Sequence, residues 1–156
     1  MALAAIAVFA LACAAHADDF NLAGVSADAQ AYVAGLTKRH PAGGTPQLRR
    51  AADQTAATAL QKKDYAAAAA ALEERASLGA PTAQTWLDLA TALLRKSPAD
   101  PKRALAAGWE NFQAAQPGYG EIPGLLVMAE ALRAMDRSEQ EAMTLEQVVQ
   151  RAPDNA

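Results

Sequence analysis

Apolar positions in this chain recur at helical spacing, in short blocks separated by turn residues. After Thr82 the stripe Trp86, Leu89, Ala90, Leu93 and Leu94 keeps an i, i+3, i+4, i+7 rhythm to about Lys96, with Thr82 placed to cap the helix. Ser97-Pro98-Ala99-Asp100-Pro101 interrupts it, with Asp100 as the next N-cap and Pro101 at the first helical position. The following helix carries Leu105, Gly108, Trp109 and Phe112 on one face and stops before Pro117-Gly118. A second such pair reads Leu125, Met128, Ala129 and Leu132, then a turn at Asp136-Arg137. Ser138-x-x-Glu141 follows as a capping box before Leu145, Val148 and Val149. A third, earlier in the chain, starts at Thr45-Pro46, with Thr45 as N-cap, and runs through Leu48, Ala52, Ala56 and Leu60. It turns at Lys63-Asp64, and its second helix, holding Tyr65 and Leu72, ends at Leu78-Gly79. Ahead of these pairs Ser26 is expected to cap one more helix, over 26–39, with Ala29, Tyr32, Val33 and Leu36 on one face.

The blocks repeat. Pro81, Pro117 and Pro153 are 36 residues apart, and the same step relates Asp64, Asp100 and Asp136, as well as Glu74, Glu110 and Glu146. Three units follow, 45–80, 81–116 and 117–152, each a helix pair, with Pro153-Asp154-Asn155-Ala156 reading as the start of a further one. Seven helices and no strands are expected. Large apolar anchors in this frame are Leu72, Trp86, Leu89, Leu93, Trp109, Phe112, Leu132 and Leu145, with Tyr65 and Ala90 at repeat positions.

The units resemble tetratricopeptide repeats. That family's first helix carries Trp-x-x-Leu-Gly-x-x-Tyr, and Trp86-x-x-Leu89-Ala90-x-x-Leu93 follows it with two substitutions. Its second helix opens on Asp-Tyr followed by Ala-x-x-x-Phe or Leu, as Asp64-Tyr65 with Ala68-x-x-x-Leu72 does. The period of 36 in place of 34, and Gly108 where a large residue is usual, depart from the family. The resemblance implies an all-α, right-handed solenoid of stacked antiparallel helix pairs whose first helices line a groove for a peptide or protein partner.

Composition sharpens this picture. Hydrophobic residues make up 52% of the 156, but 43 are alanine and only 5% of the chain is aromatic, too little β-branched bulk for a sandwich or a parallel sheet. The net charge of −3 excludes a strongly basic nucleic-acid surface. Basic residues fall in pairs (Arg49-Arg50, Lys62-Lys63, Arg95-Lys96) mostly at helix ends, where they complement the helix dipole.

The N-terminus supplies an address. Ala2–Ala12 is an apolar run too short to span a bilayer comfortably, followed by Ala15-His16-Ala17 and then Asp18-Asp19. This reads as a signal peptide over 1–17, placing the chain outside the cytoplasm, in a bacterial periplasm. The alternative takes Leu11-Ala12-Cys13 as an imperfect lipobox, with Cys13 as a lipid anchor in a bacterial membrane. Cleavage after Ala17 leaves no cysteine and one histidine, His40, expected in a solvated loop.

Candidate chemistry is sparse. Adjacent helical residues point about 100° apart, so Glu73-Glu74 cannot flank one bond and is expected on a solvated face. Asp64, Asp100 and Asp136 are expected to cap helices. Gly43-Gly44 and Gly118-Tyr119-Gly120 neither follow a strand nor lead into Gly-Lys-Ser/Thr, so they are not phosphate loops. No catalytic residue, cofactor site or metal site is expected. Segments Asp19-Phe20-Asn21-Leu22 and His40-Pro41-Ala42-Gly43, followed by alanine-rich helix pairs ending in Arg-Ala-Pro-Asp-Asn-Ala, also resemble the N-terminal helical region of bacterial alpha-2-macroglobulin-like proteins. That resemblance implies a structural arm of a protease-trapping protein; the Cys and Gln of its thioester motif are absent here. The expected function is a non-catalytic module for protein–protein interaction or scaffolding, with that arm as the alternative.

Overall fold

A computed structural model describes residues 20–152. The leader 1–17 with Cys13, and the start of a further unit after Ala152, lie outside the described residues. Among the described residues the chain is all-helical, with seven α-helices and no strand. These are α1 (Val25–Thr37), α2 (Pro46–Gln61), α3 (Tyr65–Ser77), α4 (Ala83–Arg95), α5 (Pro101–Ala114), α6 (Ile122–Ala134) and α7 (Ser138–Arg151), with a short 3-10 turn at Tyr119–Glu121. From α2 onward each helix packs against its successor, whereas α1 lies across α5 and, to a lesser extent, α3. The second helices of the units thus carry α1, and the first helices α2, α4 and α6 look the other way.

Side-chain caps set several boundaries. Thr45 Oγ1 accepts the Leu48 N–H at 3.2 Å, and Asp64 and Asp100 accept those of Ala67 at 3.0 Å and Arg103 at 3.1 Å. Thr82 caps α4 reciprocally with Thr85, each hydroxyl accepting the other's backbone N–H.

Three predicted caps, Ser26, Asp136 and Ser138, are corrected. Gly24 adopts φ 80° and its carbonyl accepts the Asp28 N–H at 3.0 Å, so α1 begins at Val25 and Ser26 lies within its first turn. At the α6–α7 turn Asp136 takes the left-handed conformation (φ 56°), with Arg137 N–H bonded to Leu132 O and Asp136 N–H to Arg133 O. This closes α6 as a Schellman turn and makes Asp136 a helix terminator. The Arg137 carbonyl then accepts the Glu141 N–H, leaving Ser138 as the first helical residue, while the Glu141 carboxylate pairs with Arg133. The capping box therefore does not form.

The period is also looser than 36. First helices begin at residues 46, 83 and 122, steps of 37 and 39, because Gly118 (φ 86°) and the 3-10 turn delay α6. Second helices begin at 65, 101 and 138, steps of 36 and 37.

The core runs along the stack. Leu72, Trp86, Leu89, Ala90, Leu93, Leu105, Trp109, Phe112, Leu125, Met128 and Leu132 are all buried. Alanines let the helices approach, each contributing little area of its own. Closest approach is at the α5–α6 crossing, where a Cβ on Gly124 would overlap the Asn111 side-chain oxygen and one on Gly108 would fall 2.8 Å from Met128 Cγ. Three apolar positions differ from expectation. Leu48 is 53% exposed, because among the described residues no helix packs on that side of α2, which buries only Ala52, Ala56 and Ala59. Tyr65, at the first position of α3, and Leu145, on the outer side of α7, are half-buried; Thr144 is the α7 residue fully inside.

Candidate functional site

The densest polar cluster joins α1 to the stack and centres on Glu73, which is buried rather than on a solvated face. Glu73 follows the buried Leu72 on α3, on the side that α1 and α5 approach. Its Oε1 accepts from Tyr32 Oη at 2.8 Å and from Arg103 Nη1 at 2.7 Å, and its Oε2 from Arg39 Nη2 at 3.2 Å. Arg103 Nε also donates to Asp100 Oδ2 at 2.6 Å. Three helices, α1, α3 and α5, together with the residue Arg39 just beyond α1, therefore meet on one carboxylate. Burial pushes the Tyr32 hydroxyl well above its ordinary range, and the Glu73 carboxylate that accepts its proton adds to this. Burial alone would raise Asp100, but the backbone N–H and guanidinium of Arg103 outweigh it and hold the carboxyl below its usual value. The Asp100 hydrogen bond in turn raises Arg103, against its own partial burial.

Next to this hub His40 Nε2 lies 2.8 Å from Glu74 Oε1, so His40 is held against α3 rather than free in a loop. On the far side of α3, Arg75 donates from Nη1 to Gly79 O at 2.9 Å, and its Nε pairs with Asp53 of α2 at 2.9 Å. The guanidinium thereby neutralises the carbonyl end of α3 and ties the two helices of the first unit.

An aromatic cluster secures the other end of α1. Phe20 packs 5.7 Å from Phe112, edge to face, and 6.2 Å from Trp109, and Leu22 and Val25 are buried beside them. Arg151 of α7 lies over the Phe112 ring at 5.4 Å and donates from Nε to the buried Glu121 at 2.5 Å. Burial also raises the carboxyl of Glu110 on α5.

These clusters hold helices together, and the carboxylates of Glu73, Asp100 and Glu121 accept from guanidinium, hydroxyl or backbone donors. The open relief lies on the opposite face. Between α2 and α4 a cleft of about 240 Å³ is lined by Asp53, Ala57, Gln84 and Asp88. The first helices continue to α6, where Arg95 and Glu130 approach at 4.0 Å across the α4–α6 junction and Leu126 is 48% exposed. Among the described residues there is no cluster of three or more His, Cys, Asp or Glu that could hold a metal ion. None of the described helices is long and apolar enough to cross a membrane.

Of the sequence-predicted positions, Leu72, Trp86, Leu89, Ala90, Leu93, Trp109, Phe112 and Leu132 come together in the core, and Thr45, Thr82 and Asp100 cap as expected. Sequence reasoning missed the Tyr32–Glu73–Arg103 hub and the Phe20 anchor. A faint signal existed for the hub, since Tyr32 and Arg39 lie seven residues apart, two helical turns along one side. No protein-family model, curated protein or solved structure matches the chain.

Proposed function

We propose that this protein is a non-catalytic helical-repeat module of the bacterial periplasm that binds or positions another protein across its first-helix face. The observation that supports this reading is the division of labour between the two faces. The second helices α3 and α5 are covered by α1 and by Phe20 and Leu22, while α2, α4 and α6 present a cleft and exposed polar side chains. Gln84, Asp88, Glu130 and Arg95 supply hydrogen-bonding and charged groups, and Leu126 an apolar contact, a mixture suited to a polypeptide surface.

The test is site-specific photo-crosslinking in cells that make the protein, with the crosslinker at Gln84 or Leu126 on this face and, as control, at Gln113, exposed on α5. A partner captured from both face positions and not from Gln113 is expected. Equal capture from all three, or none from the face, overturns the reading.

A further inference from the structure

The gap between α2 and α4 has the size and the charge of a side-chain socket, and we propose that it receives one lysine or arginine side chain of the bound polypeptide. This inference rests on the first-helix face being the binding face and names what that face recognises.

The gap follows from the stacking. Helices α2 and α4 each pack on α3, and the space left between them opens on the first-helix face. Leu72 of α3, 4% exposed, closes its bottom, and Ala57 and Leu60 of α2 add an apolar wall. Asp53, Gln84 and Asp88 also line it, and being exposed or half-buried they stand nearer its mouth than Leu72 does. At about 240 Å³ the gap falls short of the roughly 300–1,000 Å³ of a common small-molecule pocket. One extended side chain fits it better than a whole metabolite.

Charge selects the occupant. No lysine or arginine lines the gap, whereas two carboxylates do. One of them is already compensated, since Asp53 Oδ1 pairs with Nε of the buried Arg75 at 2.9 Å. Farther along the face Glu130 approaches Arg95 at 4.0 Å. Asp88 is different. Its Oδ1 accepts from Gln84 Nε2 at 2.7 Å, and it makes no ion pair among the described residues. A half-buried carboxylate is screened by salt less than a fully exposed one, so a cation brought to it gains more. Lysine and arginine match the whole gap, with an aliphatic stem for Ala57, Leu60 and Leu72 and a cationic head for Asp88. An acidic side chain would be repelled there, and an apolar one would bury the Asp88 carboxylate further without giving it a partner.

The experiment is an NMR titration of the isotope-labelled chain, processed as in the cells that make it, with short capped alanine peptides. Their central residue is lysine, arginine, norleucine or glutamate; norleucine keeps the stem and removes the charge. The two cationic peptides are expected to shift the amides of Leu60, Gln84 and Asp88 saturably at millimolar concentration, and comparing them shows which head the socket prefers. The norleucine peptide is expected to bind at least several-fold more weakly, and the glutamate peptide more weakly still. Asp88→Asn keeps an acceptor oxygen for Gln84 and is expected to abolish the preference for a cation while leaving the affinity for the norleucine peptide unchanged. Asp53 is left intact, because its loss would unpair the buried Arg75.

Equal affinity for the lysine, arginine and norleucine peptides overturns the proposal. So does a preference for cations that survives Asp88→Asn, a set of shifts that maps elsewhere, or no saturable shift at millimolar peptide. The two readings fail separately. Capture of a partner in cells at Gln84 and Leu126 without a cation preference here removes the socket and leaves the face. A gap that prefers cations while nothing is captured in cells removes the face reading instead.

Discussion

Glycines 108 and 124 predict effects of different size from the same substitution. Replacing a helical glycine by alanine gains up to about 1 kcal/mol in helix propensity. At Gly124 the new methyl would overlap the buried Asn111 carboxamide and lie 3.2 Å from the Gly108 carbonyl oxygen. Asn111 cannot move aside freely, since its Nδ2 donates to Ala83 O at 2.7 Å and fixes α5 against the start of α4. Gly124→Ala is therefore expected to lower stability by about 1–3 kcal/mol, read as a shift in urea midpoint at unchanged slope. At Gly108 the methyl would fall 2.8 Å from Cγ of the fully buried Met128 and in ordinary contact with the Gly124 carbonyl, so a side chain has to shift where at Gly124 a hydrogen-bonded amide would, and Gly108→Ala is expected to cost about 1 kcal/mol, less than Gly124→Ala. At this scale the sequence was readable wherever a residue's role is local. Thr45, Thr82 and Asp100 cap because a hydroxyl or carboxylate three residues ahead of an N–H needs no tertiary context. Ser138 fails because Asp136, two residues beyond the last residue of α6, adopts φ 56° and closes that helix, so Arg137 is already the N-cap of α7 and Ser138 its first helical residue. Two local rules competed there, and the winning Schellman turn depends on where α6 stops.

The helix whose placement was least legible is α1, and the groups holding it make its stability testable. Its amphipathic stripe of Ala29, Tyr32, Val33 and Leu36 was readable, but spacing says nothing about which surface the stripe meets. The answer lies in contacts 30–41 residues apart in sequence, from Tyr32, Arg39 and Arg103 to Glu73. In Glu73→Gln the remaining carbonyl oxygen can still accept from Tyr32 and Arg103, but the new NH2 faces the Arg39 guanidinium and the charge that pairs both arginines is lost. Arg39 and Arg103 are each more than one-third exposed and recover hydration, so Glu73→Gln should cost about 1–3 kcal/mol, less than the loss of a fully buried pair. Hydrogen exchange should locate the damage, with amides of α1 losing far more protection than those of α4; equal loss in both would argue that the hub supports the stack rather than the strap. Asp100 adds a pH signature. Its folded carboxyl titrates below its unfolded value, so the protonated form is disfavoured in the native state. The stabilisation is fully present above the unfolded aspartate range, near pH 4, and is lost as pH falls through the lower folded value. Asp100→Asn keeps a capping oxygen and abolishes the titration, so its stability should change less than that of wild type across this acid window, in denaturant midpoints taken at successive pH values.

Across the whole molecule, burial is distributed unevenly in a way that follows from stacking. A repeat array is stabilised by the units themselves and by the interfaces between neighbours, so units with a neighbour on each side are held most firmly. Helices α4, α5 and α6 have such neighbours and contain Trp86, Leu89, Leu93, Trp109, Phe112, Leu125, Met128 and Leu132, whereas α2 buries three alanines and α7 only Thr144. The sequence showed the number of helices and their pairing because both follow from period and punctuation. It could not show that α2 is one of the two weakest packed, since Leu48, Ala52, Ala56 and Leu60 form as regular a stripe as that of α4. Only the absence of a preceding helix on its outer side, among the described residues, leaves that stripe half used. Native-state hydrogen exchange should therefore rank protection with α4, α5 and α6 near the global unfolding free energy, α3 and α1 below them, and α2 and α7 lowest. Equal protection in all seven helices would mean that the stack unfolds as one unit and that the uneven burial of its helices does not set their local stability.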